Sequence, residues 1–186
     1  MTLCRRNVLV TGGAGFIGSA LVRELVKEKA NVIVYDNFSS GDQSNLAEIE
    51  ESIEVVEGDI LDPKFKDALN ANDVEYVFHL AAEPYIPRCY DHPQRIFEVN
   101  AVGTLKVLLA CQQVSITRML YYSTSEVYGT AKYVPMDEQH PTYPHSTYAV
   151  SKLAADKLCY TMYHEHGVPV IILRQFNTYG PREAQP

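Results

Sequence analysis

Short apolar runs alternate along the chain with longer segments in which apolar residues recur at helical spacing. The runs at Asn7 to Thr11, Asn31 to Tyr35, Ile53 to Glu57, Val74 to Leu80, Thr117 to Tyr122 and Val168 to Leu173 predict six strands. The segments Phe16 to Lys29, Pro63 to Asn70, Pro93 to Gln113 and His145 to His166 predict the helices between them. Asp62 before Pro63 and His92 before Pro93 mark two helix starts, because proline suits the first helical position. Strands separated by crossover helices imply an α/β fold, a doubly wound parallel sheet. Nothing repeats internally. The loop richest in turn formers, Thr130 to Pro144, falls between the fifth strand and the next helix, where folds of this class place ligands.

Composition narrows the class of function. With 186 residues, 46% hydrophobic and 21% charged, the chain has the size and content of one globular domain with a real core. A formal charge of −7, with only 16 Lys and Arg scattered along the sequence, argues against a nucleic-acid partner. No stretch is long and apolar enough to predict a membrane span. Arg5 and Arg6 ahead of the apolar run Val8 to Val22 imitate a secretory signal, but glycines break that run and no small-residue cleavage site follows. Cys4, Cys89, Cys111 and Cys159 have neither close pairing nor metal-type spacing, so reduced thiols and a cytoplasmic location are expected. His164 and His166 point to different faces of a helix with no acidic or cysteine cluster beside them, so no metal site is expected.

Gly12, Gly13, Gly15 and Gly18 follow the first strand directly and open the first helix. Missing side chains there permit a tight turn and close approach of backbone to a pyrophosphate, and the N–H groups at Phe16 and Ile17 face the anion. Asp36, ending the second strand, is placed to accept hydrogen bonds from both ribose hydroxyls and to repel a 2′-phosphate, which favours NAD over NADP. Asp59 and Ile60 follow the third strand, where a carboxylate and an apolar side chain suit an adenine ring. Asp59 is equally readable as a turn residue ahead of Asp62 and Pro63. Asn100, a polar residue on an apolar helix face, is either a satisfied buried amide or a ligand.

Tyr148 and Lys152 lie four apart on a predicted helix and therefore share a face. An ammonium beside a phenol favours the phenolate and makes the tyrosine a candidate base. The same spacing recurs at Tyr128 and Lys132, where Gly129 and Pro135 make it a loop feature. Ser123, Thr124, Ser125 and Glu126 end the fifth strand, so a hydroxyl there can share a substrate proton with Tyr148. These polar residues are alternatively a strand end making local backbone bonds, and Glu126 a solvated acid.

Thr11 to Gly18 (TGGAGFIG), Asp36-Asn37, Gly58-Asp59-Ile60, His79 to Ala82 (HLAA), Val99 to Thr104 (VNAVGT), Ser123 to Gly129 (STSEVYG), Tyr148 with Lys152, and Arg174 to Arg182 (RQFNTYGPR) stand in order. Together they resemble the extended short-chain dehydrogenase/reductase family, and within it the NAD-dependent nucleotide-sugar epimerases, dehydratases and decarboxylases. The resemblance spans essentially the whole chain and implies a Rossmann fold. It implies that NAD is held by Gly12, Gly15, Phe16, Ile17, Gly18, Asp36, Asn37, Phe38, Ser39, Asp59, Ile60, Leu80, Ala81, Ala82, Asn100, Tyr148, Lys152 and Phe176. It also implies that Asn177 and Arg182 meet a nucleotide-diphosphate sugar and that Thr124 bonds the sugar's 4-hydroxyl.

The activity so implied begins by oxidising the sugar at C4 to a 4-keto intermediate, with Tyr148 taking the O4 proton. Glu126 beside Thr124 is placed for C5 chemistry, which leans the reading to a 4,6-dehydratase; a 4-epimerase or a UDP-glucuronate-type decarboxylase is the alternative. Ser125 departs from the aspartate of the best-known dehydratase pattern. A rival of another class is an NAD-binding but catalytically idle fragment or sensor. The family also carries a smaller carboxyl-terminal substrate domain, so residues 1–186 are expected to be the NAD-binding domain alone. The helices Pro93 to Gln113 and His145 to His166 are expected to pair with their twins in a homodimer through a four-helix bundle.

Overall fold

The computed structural model describes residues 2–84 and 88–183. Six parallel strands form one sheet in the order β3-β2-β1-β4-β5-β6: β1 Asn7–Thr11, β2 Asn31–Asp36, β3 Ile53–Glu57, β4 Tyr76–His79, β5 Arg118–Thr124 and β6 Val170–Gln175. The doubly wound Rossmann-like sheet expected from the sequence is therefore present. Helix α1 (Phe16–Lys27) covers one face, where Val22 and Leu25 pack on Val8, Val10, Val32 and Val34. Helices α2 (Phe65–Ala71), α5 (Thr104–Val114) and α6 (Thr147–His166) cover the other, over Leu9, Ile33, Val77, Met119 and Tyr121. Short helices α3 (Arg88–Asp91) and α4 (Pro93–Phe97) precede α5. Burial on both faces explains why the central strands read as unbroken apolar runs.

Differences from the expected boundaries have local causes. Val74 gives its N–H to Leu69 at the end of α2, so β4 starts later than the apolar run does. Pro169 has no N–H to donate, and β6 begins one residue beyond it. Asp62 does not begin a helix at Pro63; its carboxylate accepts the Lys64 N–H at 2.8 Å in a turn, and α2 starts at Phe65. His92 does precede a proline at the helix start, without a side-chain cap. Ser146 caps α6 by accepting the Ala149 N–H at 3.1 Å, and Gly167 ends it in the left-handed region.

The helix expected over Pro93 to Gln113 is not uniform. Between α4 and α5, residues Glu98–Gly103 widen into a π-helical turn that carries Asn100. The Thr104 hydroxyl donates to the Asn100 carbonyl at 2.6 Å, and the Asn100 side chain turns away to bond other elements. Two 3-10 segments, Gln43–Ser52 and Ser125–Tyr128, lay outside the helices expected from periodicity.

A directional chain of hydrogen bonds crosses this region. Thr104 spends its one proton on Asn100, so it must accept from His79 Nε2 at 3.0 Å; Nδ1 then accepts from Thr11 Oγ1 at 2.7 Å. Thr11 Oγ1 in turn accepts the N–H groups of Leu80 and Ala81, each at 3.2 Å. Burial, reinforced by the Lys152 charge, pulls His79 down to about 3, so it is neutral in the folded chain. A group depressed on folding contributes stability that is whole above its unfolded value of 6.5 and is lost as pH falls toward 3. Urea unfolding between pH 7 and 5 should therefore show His79 costing the native protein up to about 1.4 kcal/mol per pH unit. His79→Gln should show a shallower acid slope; an unchanged slope would contradict a neutral buried imidazole.

Candidate active site

A cleft of about 700 Å³ lies along the carboxyl edge of the sheet, reaching from the β1–α1 turn across the ends of β2, β3, β4 and β5 to α6. Its phosphate end follows from three glycines. Gly12 has φ +69°, and a Cβ there would lie 2.7 Å from the Ala81 nitrogen. A Cβ at Gly18 would sit 2.0 Å from the Gly12 carbonyl, so only glycine lets α1 start this close to the turn. Gly15 precedes α1, and no side chain caps it, which leaves the helix amino terminus facing the cleft as an anion site.

Asp36 is buried and rigidly held: Oδ2 accepts the Ala14 N–H and Oδ1 the Phe38 N–H, both at 2.9 Å. Asn37 Oδ1 accepts the Ser39 N–H, while its amide donates to Asp59 Oδ2 at 3.1 Å. Burial pushes the Asp59 carboxyl up. The Leu61 N–H, the Asn37 amide and the Arg95 guanidinium outweigh that, and the carboxyl stays below its usual range. Asp59 is thus both a turn residue and a wall residue beside Ile60. Leu80, Ala81 and Ala82 form the opposite wall.

At the other end Tyr148 and Lys152 line the cleft from α6, as their spacing predicts. Lys152 is 4% exposed; its ammonium donates to the Tyr122 carbonyl and lies 4.4 Å from the centre of the Tyr121 ring. Burial lowers its pKa to about 8, and Asp156 is the larger of the two groups that oppose this. The expectation that Lys152 draws the phenol toward phenolate is not met in the free chain. Burial pushes Tyr148 above 10.0; the Thr124 hydroxyl, in hydrogen-bonding contact, opposes the rise, while Glu126 and Cys89 add to it. Thr124 also accepts the Glu126 N–H at 3.2 Å, which starts the 3-10 turn after β5.

Of the residues singled out in the sequence, Gly12, Gly15, Phe16, Ile17, Gly18, Asp36, Asn37, Ser39, Asp59, Ile60, Leu80 to Ala82, Tyr148, Lys152 and Arg182 share this wall. Others do not reach it. Phe38 packs against the apolar layer under α1. Asn100 is the satisfied buried amide: Oδ1 accepts the Glu83 N–H at 2.8 Å, and Nδ2 donates to the Glu83 carbonyl and to Ser151. It holds the backbone next to Ala82 instead of facing the cleft. Glu126 and Asn177 are exposed, and Phe176 stacks on Tyr128 at 6.5 Å. The second tyrosine–lysine spacing is dispersed: Tyr128 accepts from Arg174, and Lys132 lies over the Tyr143 ring.

The wall also contains residues that sequence reasoning missed. Gly41 packs on Asp36, where a Cβ would lie 3.1 Å from Oδ2, and Asn45 donates to the Ala14 carbonyl at 2.9 Å. Both lie in a stretch without periodicity, so only its turn-forming composition offered a signal. Ser123, already singled out at the end of the fifth strand, is also on the wall; its Oγ, on a residue 2% exposed, has no hydrogen-bond partner among the described residues. The cleft thus offers a dinucleotide a glycine turn, a helix amino terminus, a fixed ribose-height carboxylate and a buried hydroxyl without a partner.

Comparison with known proteins places this arrangement. The family model for GDP-mannose 4,6 dehydratase matches residues 9–186. A putative UDP-glucose 4-epimerase of Methanocaldococcus jannaschii is 35% identical over 95% of this chain and 57% of its own length. UDP-glucuronic acid decarboxylase 6 of Arabidopsis thaliana is 38% identical over 95% of this chain and 52% of its own. The dTDP-glucose 4,6-dehydratase of Streptomyces venezuelae, solved with NAD bound, superposes with a TM-score of 0.90 at 34% identity, covering 95% of this chain and 57% of that one. The chain spans about half the length of the curated relatives it matches. It belongs to the GDP-mannose 4,6-dehydratase-like family of extended short-chain dehydrogenases/reductases, a family of NAD-dependent nucleotide-sugar epimerases, dehydratases and decarboxylases.

Proposed function

We propose that residues 1–186 are the NAD-binding domain of a cytoplasmic enzyme that oxidises a nucleotide-diphosphate sugar at C4, and that the outcome is 4,6-dehydration. The observation that carries the first step is the placing of Tyr148 and Lys152 on the cleft wall away from the glycine turn, with Thr124, itself off the wall, in hydrogen-bonding contact with Tyr148. Mere cofactor sensing has no use for that constellation. NAD⁺, when bound, would supply the hydride acceptor and a positive charge that favours the phenolate. Tyr148 takes the O4 proton, and the Thr124 hydroxyl shares it. Lys152, fixed on the Tyr122 carbonyl, keeps a positive charge below the phenol. Asn177 and Arg182 are assigned to the nucleotide sugar, Arg182 from the cleft wall.

The dehydratase outcome rests on Glu126, whose charge acts on Tyr148. Its carboxylate takes the C5 proton of the 4-keto sugar. A plain 4-epimerase is the second reading, favoured by the exposure of Glu126 and its absence from the cleft wall.

Assembly as a homodimer through a four-helix bundle is supported by apolar surface on α4 to α6. Phe97 and Leu109 are each 39% exposed, and Tyr160 and Tyr163 more than half, whereas Leu105 and Leu108 turn to the core. Light scattering of the full chain at micromolar concentration should give a dimer mass; a strict monomer contradicts the bundle.

Asp36 predicts that NAD binds at least about tenfold more tightly than NADP, since a 2′-phosphate meets a fixed carboxylate. Calorimetric titration giving equal affinities would overturn that assignment. For the chemistry, Tyr148→Phe in the full chain should abolish reduction of bound NAD⁺ by the sugar. Glu126→Gln should reduce the cofactor and then stall, with turnover about a hundred- to ten-thousand-fold slower and NADH absorbance visible in a single turnover. Near-normal turnover of Glu126→Gln would remove the C5 role and leave the 4-epimerase.

A further inference from the structure

Lys152 is assigned a task that requires it charged, yet it is 4% exposed and donates only to a neutral carbonyl among the hydrogen bonds it makes. One helical turn further along α6 lies Asp156, 1% exposed and so on the same buried face. Its Oδ2 accepts from Arg174 Nε of β6 at 2.8 Å. Its Oδ1 has no hydrogen-bond partner among the described residues. Arg174 is anchored in turn: Nη1 donates to the Tyr128 hydroxyl at 3.2 Å, and the guanidinium lies 5.1 Å from that ring's centre. A carboxylate that were only a clamp between α6 and β6 would engage both oxygens. This one is half committed, with the partly buried Arg174 bonded to one oxygen and the buried Lys152 one turn back along α6.

We infer that Asp156 is a positioning residue of the site: its carboxylate, held from behind by Arg174, is the buried counter-charge that keeps the Lys152 ammonium in place on the Tyr122 carbonyl. An ammonium in such surroundings sheds its proton unless a negative charge is near. The other groups around Lys152 do not serve. His79 of β4 is neutral and is itself depressed by the Lys152 charge. Tyr121 of β5 offers a ring face, and burial keeps its hydroxyl protonated. Tyr148 and Cys159 of α6 are pushed up by burial, as is Cys111 of α5, so all three are neutral near pH 7. Arg174 carries the wrong sign. Of the two groups that raise Lys152 against its burial, Asp156 is the larger, and the other, Cys159, is a thiol that burial itself pushes up.

The inference rests on the reading of Lys152 as the partner of Tyr148, and its test does not require that reading to hold. The full chain, labelled with [ε-¹³C]lysine and free of cofactor and substrate, is titrated by NMR, with the Lys152 resonance assigned by its loss in Lys152→Arg. The native resonance is expected to titrate near 8. Asp156→Asn should move it down by at least about one pH unit, and Asp156→Glu should restore it toward the native value. Because Asp156→Asn leaves Arg174 without its partner, the double variant Asp156→Asn/Arg174→Gln is titrated as well. It relieves the clamp and should still titrate below the native chain. An unmoved Lys152 in either Asn-containing variant would overturn the inference. Sugars that fail to reduce NAD⁺ on an enzyme whose Lys152 titrates as expected would instead overturn the catalytic reading alone.

Discussion

A charged amine cannot be sealed between a sheet and a helix unless its surroundings replace water, and the site is organised around that constraint at Lys152. Donation to the Tyr122 carbonyl fixes the nitrogen at the carboxyl end of β5, and the Tyr121 face closes it from the side. That position depends on α6 lying at one height over β5 and β6. The Ser146 cap, the Gly167 stop and the Asp156–Arg174 pair set that height at three points. Tyr148 follows one turn earlier, at the mouth of the cleft. The fold's parallel topology, which gathers the strand ends on one edge, becomes chemically useful because this helix delivers two side chains there in register.

A second buried polar system fixes the opposite wall. The chain Thr11, His79, Thr104 runs through neutral groups with one donor direction, so it needs no charge and tolerates complete burial. It holds Leu80 and Ala81 against the glycine turn, where the Gly12 backbone comes too close for any side chain. The π-helical turn extends the same system: Asn100 clamps the Glu83 backbone and touches Ser151 on α6. The two walls are therefore connected, and an error in one displaces the other. Neutral polar groups are thus buried on one side of the cleft and a cation on the other.

The elements most legible in the sequence were those whose cause is local. β1 and β3 end where their apolar runs end, and Gly12 to Gly18 announce their turn because only missing side chains satisfy it. Tyr148 and Lys152 were legible because helical spacing alone puts them on one face. The π-helical turn was not, since it depends on Asn100 reaching partners 17 and 51 residues away. The raised pKa of Tyr148 also ran against a pairwise expectation, because burial is the largest cause and the Lys152 ammonium is turned to a carbonyl. Asp156 gave no more signal than any polar residue on a long helix; its burial and its pairing with Arg174 arise only once β6 is in place. Phe38, Asn100 and Phe176, assigned to the cofactor by resemblance, are not on the wall of the cleft in the free chain.

The central claim is that this cleft removes a hydride from sugar C4 while Tyr148 accepts the O4 proton. The direct test is single-turnover reduction of NAD⁺ by the full chain, followed at the NADH absorbance, with UDP-, dTDP- and GDP-hexoses carrying deuterium at C4. The account predicts that at least one sugar reduces the cofactor and that its C4 deuterium slows the step by a primary isotope effect. Reduction by none of them, or reduction at a rate indifferent to deuterium at C4, would contradict it.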